Sequence, residues 1–367
     1  MLKSGSELRR RDLYLNRLIA FQDTEPVKVI TGIRRCGKSS LMKLMVLHLR
    51  QNGVSDDQII EMNFESMDFR QMTAEELYRY VKERLPEKKR AYLFFDEIQR
   101  IDQWQDAVNS FRVDFDCDIY VTGSNAFLLS SELSTYLSGR YVEVKMLPLS
   151  FAEFLDFQRY TVETYRSPAG GERKRAIDGQ GQVMDLQELF RAYIRFGGMP
   201  AIAETGLDQK KVHMLLDGIY SAVVVRDILE RGRRKEQRAI TDALLLRKII
   251  LFLSDNIGNN TSIRSIGNTL VTEGLLEEGN RKSKPAVQTI SAYIDALLES
   301  YIFYESSGLT SRERIICGHW ASIISWILAF AITCWVTGAV TPAICWRISY
   351  IWNCSAWIRC GDWETGR

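Results

Sequence analysis

The sequence predicts an α/β fold: a parallel sheet carrying a phosphate-binding loop. Three observations predict it. Val27-Lys-Val-Ile30 reads as a short buried strand, Gly32 to Ser39 match GxxxxGK[ST], and Lys38 to Arg50 follow with Leu41, Leu44, Met45, Leu47 and Leu49 at helical spacing. Further on, the largely apolar run Ala91-Tyr-Leu-Phe-Phe95 ends directly in Asp96-Glu97. That is the pattern of a central parallel strand whose C-terminal end meets a phosphate site. Strand and helix patterns alternate through the first 146 residues, as a sheet with crossover helices requires.

Each part of the loop has a physical reason. Glycines let backbone N–H groups curl around a polyphosphate, and the following helix presents its positive end. The binding set is therefore Gly32, Ile33, Arg34, Arg35, Cys36, Gly37, Lys38, Ser39 and Ser40. The expected ligands are ATP and Mg²⁺, with Lys38 on the β- and γ-phosphates and Ser39 on the metal. Asp96 would hold Mg²⁺ beside Ser39 through water, and Glu97 would polarise the attacking water as general base. A solvated acid pair at a strand end is the plain alternative, and the phosphate loop upstream argues against it.

Taken in order, residues 1–26 look like an amphipathic helix leading into the first strand. Leu8, Leu15, Leu18 and Ile19 share its apolar face, with Leu13 to one side. Gln58 to Phe64 is a second strand. Thr73 caps a helix to Leu85, with Glu76 as its capping-box partner. Trp104 to Phe111 is helical, and Asp118 to Asn125 is a strand that ends in polar residues, placing Asn125 to orient water near the γ-phosphate. Ala126 to Leu137 is a helix, followed by Ser138-Gly139-Arg140 and the strand Tyr141 to Val144. At that junction Arg140 either projects to a neighbouring subunit's ATP or is a surface arginine.

Pro148 ends the fifth strand, and Phe151, Phe154, Leu155 and Phe157 form an apolar helical face. Residues 161–184 carry Gly, Ser, Arg and Lys without periodicity and read as a mobile loop. A helix over Leu186 to Ile194 leads to Arg195-Phe-Gly-Gly-Met-Pro200, and another spans Val212 to Leu229 with Arg226 upon it. Helices over 239–254, 262–270 and 284–299, then a strand near 301–305, describe a winged helix. Arg281, Lys282 and Lys284 give its third helix a basic entrance. It would contact nucleic acid or serve as a subunit or domain interface.

Composition sets the outer bounds. A net charge of +2 over 367 residues argues neither for nor against nucleic acid. The N-terminus is charged and lacks an apolar core, so no export signal is read, and ATP chemistry points to the cytoplasm. Only Cys36 and Cys117 precede residue 317, and no CxxC pair suggests zinc.

The set GIRRCGKSS, LFFDEIQ, VTGSNA, LSGRY and LPLSFAEF resembles the AAA-type ATPases of bacteria and archaea whose uncharacterised C-terminal domain is similar to a restriction nuclease. The resemblance covers residues 1 to about 306. It implies strand order 5-1-4-3-2, Mg²⁺ and catalytic roles for Asp96 and Glu97, a sensor at Asn125, and a GG-x-P turn that approaches the nucleotide base. Arg140 as a finger in trans, and Arg226 as a second sensor, are extended from wider AAA-type ATPases. The expected division is an ATPase core at 1–146, a helical lid at 147–235, a winged helix at 236–306 and an aberrant tail at 307–367. A homo-oligomer, and a DNA or protein partner at the winged helix, are expected.

From about Ser307 the composition changes. Seven of the eight tryptophans and five of the seven cysteines lie beyond residue 316, and no Lys follows Lys284. Trp320 to Val340 carries no charge across 21 residues, long enough for a membrane span. A frame change explains the segment better. Taking each codon's last base with the next codon's first two, Trp320-Ala321 forces Gly, Trp326-Ile327 forces Asp, Cys334-Trp335 forces Leu and Trp335-Val336 forces Gly. These fall at the spacing of GKYYxVDxGLRNxLLG, the segment that continues the winged helix in the resembled family. The tail is therefore expected to be a frameshift product without a fold or membrane role of its own, leaving the preceding strand without a pairing partner. Sequencing the gene through this stretch decides it.

Overall fold

A computed structural model describes residues 8–123, 139–167, 170–222, 228, 242–256, 262–272, 286–306 and 322–325. The chain divides into two compact units, Met1–Leu149 and Ser150–Arg367.

The first unit is built on five parallel strands: β1 (Val27–Gly32), β2 (Ile59–Asn63), β3 (Ala91–Asp96), β4 (Cys117–Gly123) and β5 (Tyr141–Met146). Their order is β2-β3-β4-β1-β5, the order expected, read from the other edge. Central β1 and β3 are buried at every residue, whereas edge strand β2 alternates, because helices cover both faces of the middle but not of the rim. Val27, Val29, Leu93, Phe95, Ile119 and Val121 share one face. They pack with Leu77 and Val81 of α3 (Ala74–Lys82) and with Val108 and Phe111 of α4 (Trp104–Asp114). Helices α1 (Asp12–Ala20) and α2 (Lys38–Gln51) pack together, against β5 and against β1 and β4 respectively.

Thr73 and Glu76 form the expected capping box. Two details differ from expectation. The first helix spans only Asp12–Ala20, and Leu47, counted on the apolar face of α2, is exposed because that face is narrower than the leucine pattern suggests. At the N-terminal end of the sheet, fully buried Lys28 pairs with fully buried Asp118 and donates to Thr24 O (2.8 Å). Asp118 also accepts from Tyr120 Oη (2.9 Å) and the Asp23 N–H (2.8 Å). Burial pulls the Lys28 ammonium below its usual value, against the opposing pull of Asp118.

The second unit begins with α5 (Phe151–Phe157), capped by Ser150 and Glu153. Residues 161–184 are not the loop expected from their composition. They form an antiparallel sheet of β6 (Thr161–Arg166), β7 (Glu172–Ile177) and β8 (Val183–Met184). Cross-strand pairing supplies the order that hydrophobic periodicity does not: Arg175 meets Glu163 at 3.5 Å and lies over the Tyr165 ring. Next, α6 (Leu186–Phe196) sets Phe190 and Tyr193 against Phe151. Gly197, at φ 88°, turns the chain toward Pro200.

Helix α7 spans Gln209–Ser221, and Arg226 lies outside the described residues. Helices α8 (Ala243–Asp255), α9 (Ile263–Thr272) and α10 (Val287–Glu299) pack on one another. Arg281, Lys282 and Lys284 are outside the described residues. After α10, β9 (Phe303–Ser306) does have a partner, contrary to expectation: it pairs antiparallel with β10 (Ser322–Ser325) inside the tail. Those four residues are the described part of the uncharged run 320–340, and they are strand. Among the described residues no helix is long and apolar enough to cross a membrane.

Candidate nucleotide site

The phosphate loop leaves the C-terminal end of β1 and enters α2 at Lys38. Gly32 has φ +142°, and a Cβ there would lie 2.3 Å from the Met146 carbonyl oxygen, so glycine is required where β5 runs alongside. Gly37, at φ +105°, turns the chain into the helix, and Arg35 is also left-handed at φ 65°. Cys36 and Ile33 are buried, which seats the loop on the core, while Arg35, Ser39 and Ser40 are exposed at its mouth. The first N–H groups of α2 have no acceptor within the helix. Lys38 is buried, and its Nζ donates to Gly32 O (2.9 Å) and Ile33 O (3.1 Å). The ammonium is thereby held against the loop it serves.

Residues from three strand ends meet beside this loop. Asp96, at the end of β3, is paired in register with Asn63 at the end of β2. Its Oδ2 accepts from Asn63 Nδ2 (3.1 Å), its Oδ1 accepts from Thr122 Oγ1, and Ser39 also donates to it. Burial pushes the Asp96 carboxyl above the ordinary carboxylate range, and the Thr122 and Ser39 hydrogen bonds oppose this. Glu97 sits in left-handed backbone at φ 58°, with its N–H donating to Thr122 Oγ1 (3.0 Å) and its Oε2 accepting from Gln99 Nε2. A single hydroxyl, Thr122 Oγ1, thus fixes both acids and separates them into one buried carboxylate on the Ser39 side and one half-buried beyond it.

The donor set fits Mg²⁺. Ser39 Oγ and the Asp96 carboxylate are hard oxygen donors of the kind that could hold Mg²⁺ beside a polyphosphate. Among the described residues no three His, Cys, Asp or Glu side chains form a cage of their own.

The structure brings Gly32 to Ser40, Asp96 and Glu97 together. It does not bring Arg140 to them. Arg140 is exposed in the turn before β5, and its carbonyl accepts from the Val27 N–H (2.9 Å). Val27 and Gly32 are the two ends of β1, so about 17 Å of strand separates Arg140 from its own loop. Asn125 lies outside the described residues.

Sequence reasoning missed Thr122, Asn63 and Arg11. A buried threonine one residue before the strand's terminal glycine, and an asparagine closing a strand, were legible signals. Arg11 gave none, because Arg9-Arg10-Arg11 reads as a solvated run. Yet Arg11 is buried, and its Nη1 donates to Cys36 O (3.1 Å) and Leu147 O (2.9 Å) while Nη2 reaches Pro148 O (3.3 Å). It lies over Tyr14, whose Oη accepts from the Leu147 N–H (3.1 Å). The N-terminal segment therefore ties the phosphate loop to the end of β5.

Comparison with known proteins agrees with this geometry. The family described as an AAA domain matches residues 24–155, and a domain of unknown function (DUF8612) matches residues 187–316. An uncharacterized protein of Haemophilus influenzae is 36% identical over 306 residues, covering 83% of this chain and 68% of the relative. A second uncharacterized protein, from Methanocaldococcus jannaschii, is 30% identical over 315 residues, 84% of this chain. The match spans 63% of that relative's length. A Walker-type ATPase of Pyrococcus abyssi shares the fold at 16% identity and a TM-score of 0.54, over 90% of this chain and 99% of that one. With a relative of that identity along most of its length, the chain belongs to the family of the Haemophilus influenzae protein, and its residues 24–155 form an AAA-type P-loop domain.

Proposed function

We propose that the chain binds ATP with Mg²⁺, hydrolyses it, and couples turnover to a macromolecular partner. The observation that carries this is the Thr122-fixed pair of acids beside Lys38 and Ser39. Lys38 and the loop N–H groups hold the β- and γ-phosphates. Ser39 and Asp96 orient Mg²⁺, which when bound neutralises charge that develops on the phosphate oxygens. Glu97, held by Gln99, takes the proton of the attacking water, and Asn125 orients that water. Arg140, too far from its own loop, completes the site of a neighbouring subunit. Glu97→Gln keeps the shape and loses the base, so ATP affinity stays and hydrolysis falls on the order of 10²–10³-fold. Lys38→Ala abolishes tight ATP binding by calorimetry. Parent-rate turnover in the first variant, or parent affinity in the second, refutes the respective assignment.

A second reading is a slow nucleotide-dependent switch. Its support is the bundle of α8, α9 and α10 followed by the antiparallel β9–β10 pair, an arrangement that fits a winged helix. That segment would carry DNA or a protein partner. The helical stretch before it would act as a lid, with Arg226 as a second sensor and the Gly197-Gly198-Met199-Pro200 turn near the base. ATPase rates with and without DNA separate a DNA-stimulated machine from a switch. A cytoplasmic location remains part of this proposal.

A further inference from the structure

Strands β6 and β7 carry charge that the hydrolysis scheme leaves unused. They pair along their whole length, from Thr161 opposite Ile177 to Arg166 opposite Glu172. The turn between them closes with the Ser167 N–H on Gly171 O (3.0 Å) and the Gly170 N–H on Ser167 O (2.9 Å). At the other end β8 pairs with Ala176 and Ile177 only, and β7 packs against α6. Toward the turn the sheet is therefore a two-stranded ribbon, and Ala176 is the one buried residue in either strand. Such a ribbon is marginal in water by itself, and this one buries too little to serve the core. Its side chains alternate between two faces. Tyr165, Arg173 and Arg175 share one face with Glu163, while Arg166 and Lys174 share the other with Glu172. Arg175 meets Glu163 at 3.5 Å and lies 5.3 Å over the Tyr165 ring. Arg166, Arg173 and Lys174 are exposed, and among the described residues their side chains form no ion pair or hydrogen bond. Each face thus presents two cations to one acid.

We propose that the β6–β7 ribbon docks into a groove of duplex DNA, with Arg173 on one face and Arg166 and Lys174 on the other holding the phosphates that flank it. A two-stranded ribbon fits the major groove, which is about 12 Å wide. The groove sets a row of phosphates on each side of whatever enters it, so cations are needed on both faces of the ribbon. A protein surface would engage one face only, and this placement favours DNA over an acidic protein. The deep, narrow major groove of duplex RNA does not admit a ribbon. Guanidinium forks match phosphate oxygens geometrically, and Thr164 adds a hydroxyl donor on the Lys174 face. Arg175, held by Glu163 and Tyr165, stiffens the ribbon. Phosphate contacts carry no sequence information, so this binding is independent of base sequence. It uses neither the nucleotide site nor the bundle of α8, α9 and α10, and it stands or falls apart from both.

The test is fluorescence anisotropy of the full chain with an end-labelled DNA duplex of about two helical turns, titrated at several salt concentrations. Combining Arg166→Gln, Arg173→Gln and Lys174→Gln is expected to weaken binding by about tenfold or more. It should also lower the slope of log affinity against log salt by about 2–3, the counterion release of three phosphate contacts. The Arg175–Glu163 pair and the strand register are untouched by these changes. Arg166→Lys with Arg173→Lys keeps the charge and should bind within about twofold of the parent. Equal losses in the neutral and the charge-preserving variants would trace the effect to folding and overturn the proposal. So would a parent chain that binds no duplex. A neutral variant with parent affinity and parent salt slope overturns it as well, and assigns any DNA binding to another surface. Polyglutamate is the competing probe. If the parent binds it in place of DNA and the neutral variant does not, the ribbon serves an acidic protein and the DNA proposal is wrong.

Discussion

Asp96 shows at a single residue how the site is maintained against stability. Its carboxyl is buried, and burial raises its proton affinity above the unfolded value of 3.8. A group raised in this way stabilises the fold fully below the unfolded value, and that contribution is lost as pH rises through the folded value. Above that folded value the carboxylate is ionised against its burial, with the Thr122 and Ser39 hydrogen bonds in partial compensation. Asp96→Asn removes the titration while keeping an acceptor for Thr122. The melting temperature of the variant minus that of wild type should climb from about pH 4 upward and level off once the folded value is passed. Mg²⁺-dependent hydrolysis should fall by at least about 10²-fold in the same variant. A difference that is flat with pH, measured by thermal melts in matched buffers, would show that Asp96 is not held against its preferred protonation state.

Elements differ in how far the sequence announces them. Strand β3 was plain because a buried central strand must be apolar until it reaches the site, and Phe95-Asp96 marks the boundary. The capping box at Thr73 and Glu76 was plain because it is a local contact between residues three apart. Strands β6 and β7 were hidden, since both are largely exposed and neither needs an apolar alternation. What orders them is register, Thr161 opposite Ile177 through Arg166 opposite Glu172, which no window of one strand contains. Their cross-strand hydrogen bonds should slow amide exchange in 161–166 and 172–177 by about tenfold or more relative to an unstructured peptide. Exchange at the free-peptide rate throughout both strands would return the segment to a loop. The candidate site divides the same way. Its loop and acid pair are contiguous motifs, whereas Asn63, Thr122 and Arg11 enter through strand order and burial.

For the whole molecule, the position of Arg140 turns a question of chemistry into one of assembly. If Arg140 completes a neighbour's site, Arg140→Ala should reduce hydrolysis about 10-fold or more only at concentrations where subunits associate. Mixing it with Glu97→Gln should then restore part of the activity at interfaces that hold one intact finger and one intact base. Full-length variants that assemble yet show no recovery in a steady-state assay would assign Arg140 to the surface. A different consequence follows from Arg11, which grips Cys36 O on one side and Leu147 and Pro148 carbonyls on the other. Beside it, the Gly32 backbone passes within touching distance of Met146. Every residue of the phosphate motif has left the ribosome long before those partners exist. The nascent chain thus carries a complete motif that cannot yet take its shape, and competence arrives only when the last strand docks against the first. A fragment ending at residue 140 holds the entire loop and both acids and should still bind no nucleotide, whereas one ending at residue 149 should bind it.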